Sequence, residues 1–429
     1  MSERYYQSEK MLERALKSIP LGTQTFSKSK TQYPKGAAPF YIARGQGSRV
    51  WDIDGNEYID FVNGLASITL GYNDPDVLLA VKNQLEEGVI FSLPHHIEVL
   101  VAEKIIEMVP CAQMVRFGKN GSDVTTAAIR LARAYTNRDH VAVCGYHGWQ
   151  DWYIGSTSRN LGVPESTQAL THKFIYNNIE SLHDLFKEYP GQIAAVILEP
   201  MNSAYPQIGF LESVKELAHQ QGAVLIFDEI VTGFRYANGG AQELFGVTPD
   251  LATFGKGMAN GYPVSALVGR ADIMSLCEEI FFSFTFGGEA LSLAAAYATL
   301  NKLQKYPVLS TIQERGTVLL TKIHELIIKH NVGHIFSISG HPAWTFLSIK
   351  DVIPYSSMHI KTLFLQEIFK RGILTLGTHN LSYAHTPEDI EKLVSTYDSV
   401  FKIIKDAVEH ETLDSLLETE PLKQLFKVR

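Results

Sequence analysis

The sequence is poor in cysteine and contains no long hydrophobic run, and both absences limit what the protein can be. Its three cysteines, Cys111, Cys144 and Cys277, are far apart and predict neither a disulfide framework nor a metal-binding cluster. No stretch approaches the roughly 20 apolar residues of a transmembrane helix, and the N-terminus lacks the apolar core of a signal peptide. We therefore expect a cytoplasmic protein with no membrane partner and no bound metal.

An excess of basic residues is also missing. The 429-residue chain has a formal net charge of −8, whereas nucleic acids and anionic membranes select proteins with a basic face. The HExxH spacing of zinc peptidases, the Gly-x-Ser-x-Gly turn of serine hydrolases and the Walker phosphate loop are absent as well. With 45% hydrophobic residues, the composition is that of a globular protein large enough for two domains.

Apolar patterns and turns divide the chain into segments 1–75, 76–307 and 308–429. The first predicts a helix at 9–18 and a hairpin with strands at 49–52 and 57–61.

The third segment follows Pro307 and begins with a long amphipathic helix at 309–329. Within it, Thr386 and Pro387 are typical of the first residues of a helix, because threonine caps the end and proline suits the first turn.

The middle segment alternates helical patterns with short apolar runs, which predicts a parallel sheet covered by helices. The strand-length runs are 141–144, 193–198, 223–227 and 263–268.

Charged residues follow successive apolar runs in this middle segment. Glu199 and Asp228 each follow one run, and Lys256 lies in a glycine cluster just after another short apolar segment. The intervals of 29 and 28 positions are close to the ~30 residues of one strand–helix–strand unit, so these side chains should meet at one edge of the sheet. A sequestered amine beside a carboxylate favours catalysis with pyridoxal 5'-phosphate, in which lysine forms a Schiff base and aspartate contacts the pyridine nitrogen.

A loop of small residues around Gly121 and Ser122 precedes a strongly helical segment. Free N–H groups at a helix start bind anions, so this loop is a candidate phosphate site. Simple capping by Asn120 or Ser122 explains the same pattern.

Aromatic residues follow the run at 141–144. Tyr146 could stack on a flat ring or belong to the core, and Trp149, Trp152 and Tyr153 predict an aromatic wall beside it.

Taken together, these residues resemble the class III (subgroup II) pyridoxal-phosphate-dependent aminotransferases, especially glutamate-1-semialdehyde aminomutase and related polysaccharide-pathway aminotransferases. The likeness covers nearly the whole chain. Its motifs are Val50-Trp51-Asp52-Ile53-Asp54-Gly55-Asn56-Glu57-Tyr58-Ile59-Asp60, Asn120-Gly121-Ser122-Asp123, Gly145-Tyr146-His147-Gly148, Leu198-Glu199-Pro200, Phe227-Asp228-Glu229-Ile230-Val231-Thr232-Gly233-Phe234-Arg235, Gly255-Lys256, Thr285-Phe286-Gly287-Gly288 and Ala384-His385-Thr386.

The resemblance implies the α/β fold type I of these enzymes: a large domain with a mostly parallel sheet, and a smaller α/β domain from the N- and C-terminal segments. It also implies that Lys256, Asp228 and Tyr146 are catalytic, with Lys256 forming the internal aldimine and moving protons. Tyr146 and Ile230 would sandwich the ring.

For the phosphate, the resemblance implies that Gly121 and Ser122 bind it and that Thr285 reaches the phosphate of a neighbouring subunit, giving a homodimer with shared active sites. Glu199 would support the cofactor, and Arg235 would bind a substrate carboxylate.

Two departures concern the substrate. The aminomutase binds the substrate carboxylate with an arginine, whereas this chain has Lys28 at the matching place, and a lysine cannot replace a bidentate guanidinium. The second departure is that the acidic residue expected within 377–382 is absent. Together with Trp149, these departures favour an aminotransferase that moves an amino group, plausibly from glutamate, to a carbonyl substrate such as a keto-sugar. Glutamate-1-semialdehyde aminomutase and a non-catalytic sugar- or nucleotide-binding protein are the alternatives.

Overall fold

The computed structural model describes residues 3–423, and two units account for them. One unit contains residues 3–74 and 310–423, and the other contains residues 75–309. The predicted boundaries at 75 and 307 are close to these divisions, and their assignment as separate domains remains a prediction.

The N-terminal part of the first unit has one helix before a hairpin. Its elements are α1 (Tyr6–Ala15), β1 (Ile42–Gln46), β2 (Arg49–Asp52), β3 (Glu57–Asp60) and the short turn α2 (Asn63–Ala66), with 3-10 helices at Glu3–Tyr5, Pro20–Gly22 and Phe26–Lys28. The predicted hairpin is confirmed, because β2 and β3 pair antiparallel. Gly55 in its turn has φ +86°, a conformation that glycine adopts without steric cost. The helix begins and ends three residues earlier than predicted.

The second unit alternates strands and helices as the apolar pattern predicts. Its elements are α3 (Pro75–Glu87), α4 (His96–Met108), β4 (Met114–Gly118), α5 (Gly121–Thr136), β5 (His140–Cys144), α6 (Asp151–Ile154), α7 (Glu165–Gln168), β6 (Thr171–Lys173), α8 (Ile179–Glu188), β7 (Ile193–Leu198), α9 (Phe210–Gln220), β8 (Val224–Asp228), α10 (Ala241–Phe245), β9 (Leu251–Phe254), β10 (Ser265–Gly269), α11 (Ala271–Met274) and α12 (Ala290–Lys305), with 3-10 helices at Lys256–Ala259 and Ser275–Glu278.

These strands form one seven-stranded sheet in the order β4-β10-β9-β8-β7-β5-β6. The pairs from β9 through β6 are parallel, and β10 is antiparallel to both of its neighbours. The sheet is therefore mostly parallel, as predicted, but the parallel direction expected for the run at 263–268 is wrong. The connection from β9 to β10 contains only a 3-10 turn, which is too short for the helical crossover that parallel neighbours need.

The core of this unit lies around the central strands. Every residue of β7, β8 and β9 is buried, so both faces of the sheet are covered. Among residues 3–423, no helix combines the length and the apolar character needed to cross a lipid bilayer.

The C-terminal part completes the first unit. Its elements are α13 (Val308–Lys329), β11 (Phe336–His341), β12 (Trp344–Ile349), α14 (Ser357–Lys370), β13 (Ile373–Leu374), β14 (Thr378–Asn380), α15 (Pro387–Glu409) and α16 (Leu413–Leu416). Strand β13 pairs parallel with β3, so the two ends of the chain share the sheet β1-β2-β3-β13. The predicted long helix is confirmed as α13. The predicted helix start at Pro387 is also confirmed, with Thr386 accepting a hydrogen bond from the Asp389 N–H.

Candidate active site

The side chains predicted to form the site lie at or just after the ends of four neighbouring strands of the second unit, along one edge of the sheet. Asp228 is the last residue of β8, Glu199 directly follows β7, Tyr146 follows β5 by two residues, and Lys256 follows β9 by two residues. Because β9, β8, β7 and β5 are adjacent and parallel, their carboxyl ends are side by side. The expected convergence of these residues at the sheet edge is what the structure shows.

Lys256 has an unusual backbone. It is half-buried, and its φ of +40° lies in the left-handed region that a residue with a side chain rarely adopts. Such a conformation costs about 1–3 kcal/mol and persists where the surrounding structure imposes it, most often at functional sites. The strain therefore supports a functional role at this position.

Asp228 is buried in a set of hydrogen-bond donors. Its Oδ1 accepts from the Ile230 N–H at 3.1 Å and from the Thr253 hydroxyl at 3.4 Å, while its Oδ2 lies 2.8 Å from Nδ1 of the buried His147. Nε2 of His147 lies 3.2 Å from the Cys144 carbonyl oxygen, which can only accept. The contacts of both ring nitrogens fix the imidazole, and the imidazole in turn holds the Asp228 carboxylate in place.

His147 is a residue of this site to which the sequence pattern assigned no role. It belongs to the motif Gly145-Tyr146-His147-Gly148, which gives the only sequence signal for it. Its partner Asp228 is 81 residues away, a contact that depends on the adjacency of strands β5, β7 and β8.

Glu199 holds the loop that carries Tyr146. Its Oε2 accepts a hydrogen bond from the Tyr146 N–H at 3.0 Å. Gly145, with φ +108°, lies so close that a Cβ there would be 2.6 Å from the same oxygen. Only glycine fits both the backbone angle and this approach, so Glu199 and Gly145 together set the position of Tyr146.

The loop before α5 is a candidate anion cradle. Gly121 and Ser122 occupy the first turn of this helix, where backbone N–H groups have no acceptor within the helix. The carboxylate of Asp123 caps the preceding N–H groups of Lys119 and Asn120, at 3.1 and 2.7 Å. The capping box pairs Asn120 with Asp123, and the N–H groups of Gly121 and Ser122 suit a phosphate.

Ile230 lies between the cradle and the lysine segment. A Cβ at Gly121 would be 3.2 Å from Cδ1 of Ile230, and a Cβ at Gly255 would be 3.4 Å from the same atom. The residue before Lys256 and the start of α5 therefore both adjoin this half-buried side chain.

The expected aromatic wall is wrong. Trp149 is 66% exposed, whereas Trp152 and Tyr153 are buried in the core of the unit. The Trp152 Nε1–H donates to Thr126 Oγ1 at 2.9 Å, and the Tyr153 hydroxyl donates to the Gly145 carbonyl at 2.8 Å. Both rings belong to the short helix α6 and pack into the core, and the Tyr153 hydroxyl supports the loop at Gly145.

The remaining predicted residues occupy other surroundings. Arg235 is fully buried, and burial lowers the pKa of its guanidinium to about 10. Thr285 is exposed on the segment after the 3-10 helix Ser275–Glu278. Lys28 belongs to the other unit, where it is exposed at the end of a 3-10 helix and its charge acts on the buried Asp60. The roles predicted for these three residues stay predictions.

Pyridoxal phosphate fits the residues gathered at this sheet edge. Its phosphate suits the start of α5, its aldehyde suits the Lys256 amine, and its pyridine nitrogen suits the Asp228 carboxylate. Glycines 121, 145 and 148 leave out the side chains that would otherwise fill this edge; a Cβ at Gly148 would be 2.6 Å from Ser122 Cβ.

Comparisons with known proteins agree with this chemistry. The sequence model of the family "Aminotransferase class-III" matches residues 32–407. The 3-aminobutyryl-CoA aminotransferase of Cloacimonas acidaminovorans (strain Evry) is 35% identical over 393 residues, or 89% of this chain and 94% of that protein. The glutamate-1-semialdehyde 2,1-aminomutase of Aquifex aeolicus (strain VF5) is 32% identical over 94% of this chain and 99% of that protein.

A solved structure extends the comparison to three dimensions. The FumI protein of Sphingopyxis sp. MTA144, in its PLP internal aldimine form, superposes with a TM-score of 0.88 at 29% identity, covering 97% of this chain and 99% of that one. The fold, the lysine and aspartate at adjacent strand ends, and the family match lead to one conclusion: the chain belongs to the class-III aminotransferases and is a pyridoxal-phosphate-dependent enzyme of fold type I.

Proposed function

We propose that the protein is a transaminase that takes an amino group from a donor such as glutamate and delivers it to a carbonyl substrate. The observation that carries this proposal is the placement of Lys256, in a strained backbone, next to the strand that ends in Asp228. When bound, pyridoxal phosphate supplies an aldehyde that accepts the amino group and a pyridine ring that withdraws electrons from the reacting carbon.

The chain's own residues divide the remaining work. With the cofactor bound, the Lys256 amine would hold it covalently and would then move the proton between the substrate carbon and the cofactor carbon, as a general base and acid. Asp228 keeps a proton on the pyridine nitrogen, and His147 fixes the orientation of that carboxylate through the 2.8 Å contact. Tyr146 and Ile230 would lie against the two faces of the ring.

The start of α5 would hold the phosphate. The N–H groups of Gly121 and Ser122, the Ser122 hydroxyl and the positive end of the helix dipole all favour an anion there. Glu199 acts through the Tyr146 N–H and does not need to touch the substrate.

For the carbonyl substrate we propose a keto-sugar or a related metabolite. The exposed Trp149 indole, next to Gly148 of the site, suits the C–H face of a sugar ring. Arg235 and Lys28 are the candidate partners for a substrate carboxylate. The relatives include an acyl-CoA aminotransferase and an aminomutase. Their names therefore support the class of reaction and do not favour any single substrate.

Glutamate-1-semialdehyde aminomutase is the second candidate because of relatives such as the Aquifex enzyme, which is 32% identical over 94% of this chain. Lys28 in place of the expected arginine and the lack of an acid in 377–382 weigh against it. Purified protein that converts glutamate-1-semialdehyde efficiently to 5-aminolevulinate, without a separate donor, would establish the aminomutase in place of the transaminase.

We also propose that the enzyme works as a homodimer in the cytoplasm, with active sites shared between subunits. The segment 281–286 exposes Phe281 by 84% and Phe286 by 57%, together with Thr285. So much exposed aromatic surface is typical of a protein interface, and a second copy of the chain would cover it.

The test begins with the cofactor and continues with substrates. Borohydride should bleach the visible absorbance of the purified protein and leave a pyridoxyl group on Lys256, which peptide mass spectrometry locates. Lys256→Ala should bind cofactor but lose turnover, whereas the matched Lys187→Ala, on the exposed face of α8, should keep the wild-type rate. Full activity of Lys256→Ala would refute the mechanism.

A donor and acceptor screen then separates the remaining alternatives. Glutamate should convert bound cofactor to the amine form, and keto-sugars should convert it back, each followed by absorbance. A protein that binds sugars or nucleotides but never converts the cofactor would support the non-catalytic binding protein instead.

A further inference from the structure

The loop 281–289 is hydrogen-bonded to β4 and α5, the two elements that flank the candidate phosphate cradle of the same chain. Arg116 on β4 donates a hydrogen bond to the Phe282 carbonyl at 3.1 Å, and Arg130 on α5 donates to the Phe281 carbonyl at 3.2 Å. The first residues of the loop are therefore tied to the strand and helix on either side of the cradle.

The last residue of the loop is tied to the cradle itself. Lys119 Nζ donates to Glu289 Oε2 at 2.9 Å, and the two side chains are only 17% and 13% exposed. Glu289 also accepts from the N–H groups of Leu291 and Ser292, so it caps α12. Because this ion pair is shielded from water, salt screens it less than a surface pair. Lys119 precedes Gly121 by two residues, so the pair links the phosphate-binding turn to the loop.

Between these two attachments the loop presents its side chains outward. Phe281 and Phe286 are 84% and 57% exposed, and Thr285 is exposed between them. In a dimer with shared sites, this is the part of the loop that reaches the neighbouring subunit.

We propose that the Lys119–Glu289 ion pair couples the two cofactor sites of the dimer, so that cofactor binding in one subunit strengthens binding in the other. A phosphate on the N–H groups of Gly121 and Ser122 fixes the turn that carries Lys119. The amine then holds Glu289 and the loop, and Thr285 is set for the phosphate of the other subunit. This inference rests on the proposed shared-site dimer, and the coupling is reciprocal by thermodynamic linkage.

Native mass spectrometry of the full chain, stripped of cofactor and partly reloaded with pyridoxal phosphate, measures this coupling. It counts dimers with no, one or two cofactors. For independent sites, the square of the singly loaded fraction divided by the product of the other two fractions is about 4, and a typical allosteric coupling of about fivefold or more lowers that ratio below about 1. We expect the low ratio for the wild-type chain.

Two variants remove the ion pair from either side. Lys119→Met should return the ratio to about 4, as independent sites require. Glu289→Gln should do the same while its amide oxygen still accepts from the Leu291 N–H. The control is Lys104→Met, which breaks the ion pair between Lys104 and Glu107 on α4, where the nitrogen and oxygen are 2.7 Å apart. The Lys104 side chain is 16% exposed, so it is about as buried as that of Lys119. It should keep the wild-type ratio.

The outcomes separate this inference from the proposed function. Dimers whose wild-type sites fill independently, or a low ratio that survives in both variants, would overturn the coupling and leave the shared-site dimer in place. A chain that binds cofactor as a monomer would overturn the shared-site dimer and the coupling together.

Discussion

Replacing His147 with leucine tests the buried contact on which the placement of Asp228 depends. The change removes a contact of 2.8 Å to Asp228 Oδ2 and one of 3.2 Å to the Cys144 carbonyl. Removing the partner of a buried carboxylate costs about 3–5 kcal/mol, because the carboxylate charge is left without compensation. The lost bond to the carbonyl, about 1 kcal/mol, is roughly offset by the apolar burial of leucine, about 1–2 kcal/mol. We therefore expect a net loss of about 3–5 kcal/mol in the free energy of unfolding.

The assay is urea unfolding of the cofactor-free protein, followed by tryptophan fluorescence, because Trp149 and Trp152 lie in the same unit as His147. In a thermal scan the same loss corresponds to roughly 6–20 °C for a unit of this size. The matched control His183→Leu, on an exposed position of α8, should change the free energy of unfolding by no more than about 0.5 kcal/mol. A loss below about 1 kcal/mol for His147→Leu would show that His147 and Asp228 are not paired as described.

Three further changes have definite expected results. Asp228→Asn should lower kcat by roughly 10²–10³-fold, because the amide removes a charge aimed at the reacting ring. It should also lower the free energy of unfolding, because it weakens the buried contact with His147; steady-state rates and urea unfolding measure both. Gly148→Ala should lose more than about 1 kcal/mol of stability and weaken cofactor binding, because φ at this position is +108° and the new Cβ would meet Ser122 Cβ at 2.6 Å. The control is Gly162→Ala, where φ is +88° but no atom lies within 4 Å of the new Cβ. Thermal scans of both variants therefore separate the cost of the backbone conformation from the cost of the steric clash. Burial lowers the pKa of His379 from 6.5 to about 3, so between these pH values the unfolded chain binds more protons than the folded chain. The free energy of unfolding should therefore fall as the pH drops below about 6.5. A His379→Gln variant whose free energy of unfolding depends on pH as steeply as that of the wild type would contradict this.

The lysine and carboxylates of the site could be placed from the sequence because local signals and regular spacing agreed. Glu199 and Asp228 end continuous apolar runs, and such runs are read directly as buried parallel strands. The regular intervals from Glu199 to Asp228 and from Asp228 to Lys256 then required only that one helical crossover connect each strand to the next. The same reasoning predicted the start of α15, where Thr386 and Pro387 are local signals.

Features that depend on tertiary packing could not be predicted in this way. Trp149 and Trp152 are three positions apart in an aromatic segment, yet one is exposed and the other is buried, because Trp152 lies in the short helix α6 and packs into the core, whereas Trp149 precedes that helix. The pairing of His147 with Asp228 requires the order of strands in the sheet, which spacing does not give. A local pattern contains no information about which strand becomes the neighbour of which.

The reversed direction of β10 has a consequence for the assembly of the catalytic edge. A strand that runs backwards begins where its parallel neighbours finish, so Ser265, its first residue, lies opposite Gly118 at the far end of β4. Its hydroxyl donates to the Asn120 carbonyl at 2.9 Å, immediately before the phosphate-binding turn. The ten residues from Gly255 to Val264 therefore connect two strand ends at the same edge of the sheet. This short stretch carries the Lys256 amine near its beginning and leads directly to Ser265, which braces the turn before α5.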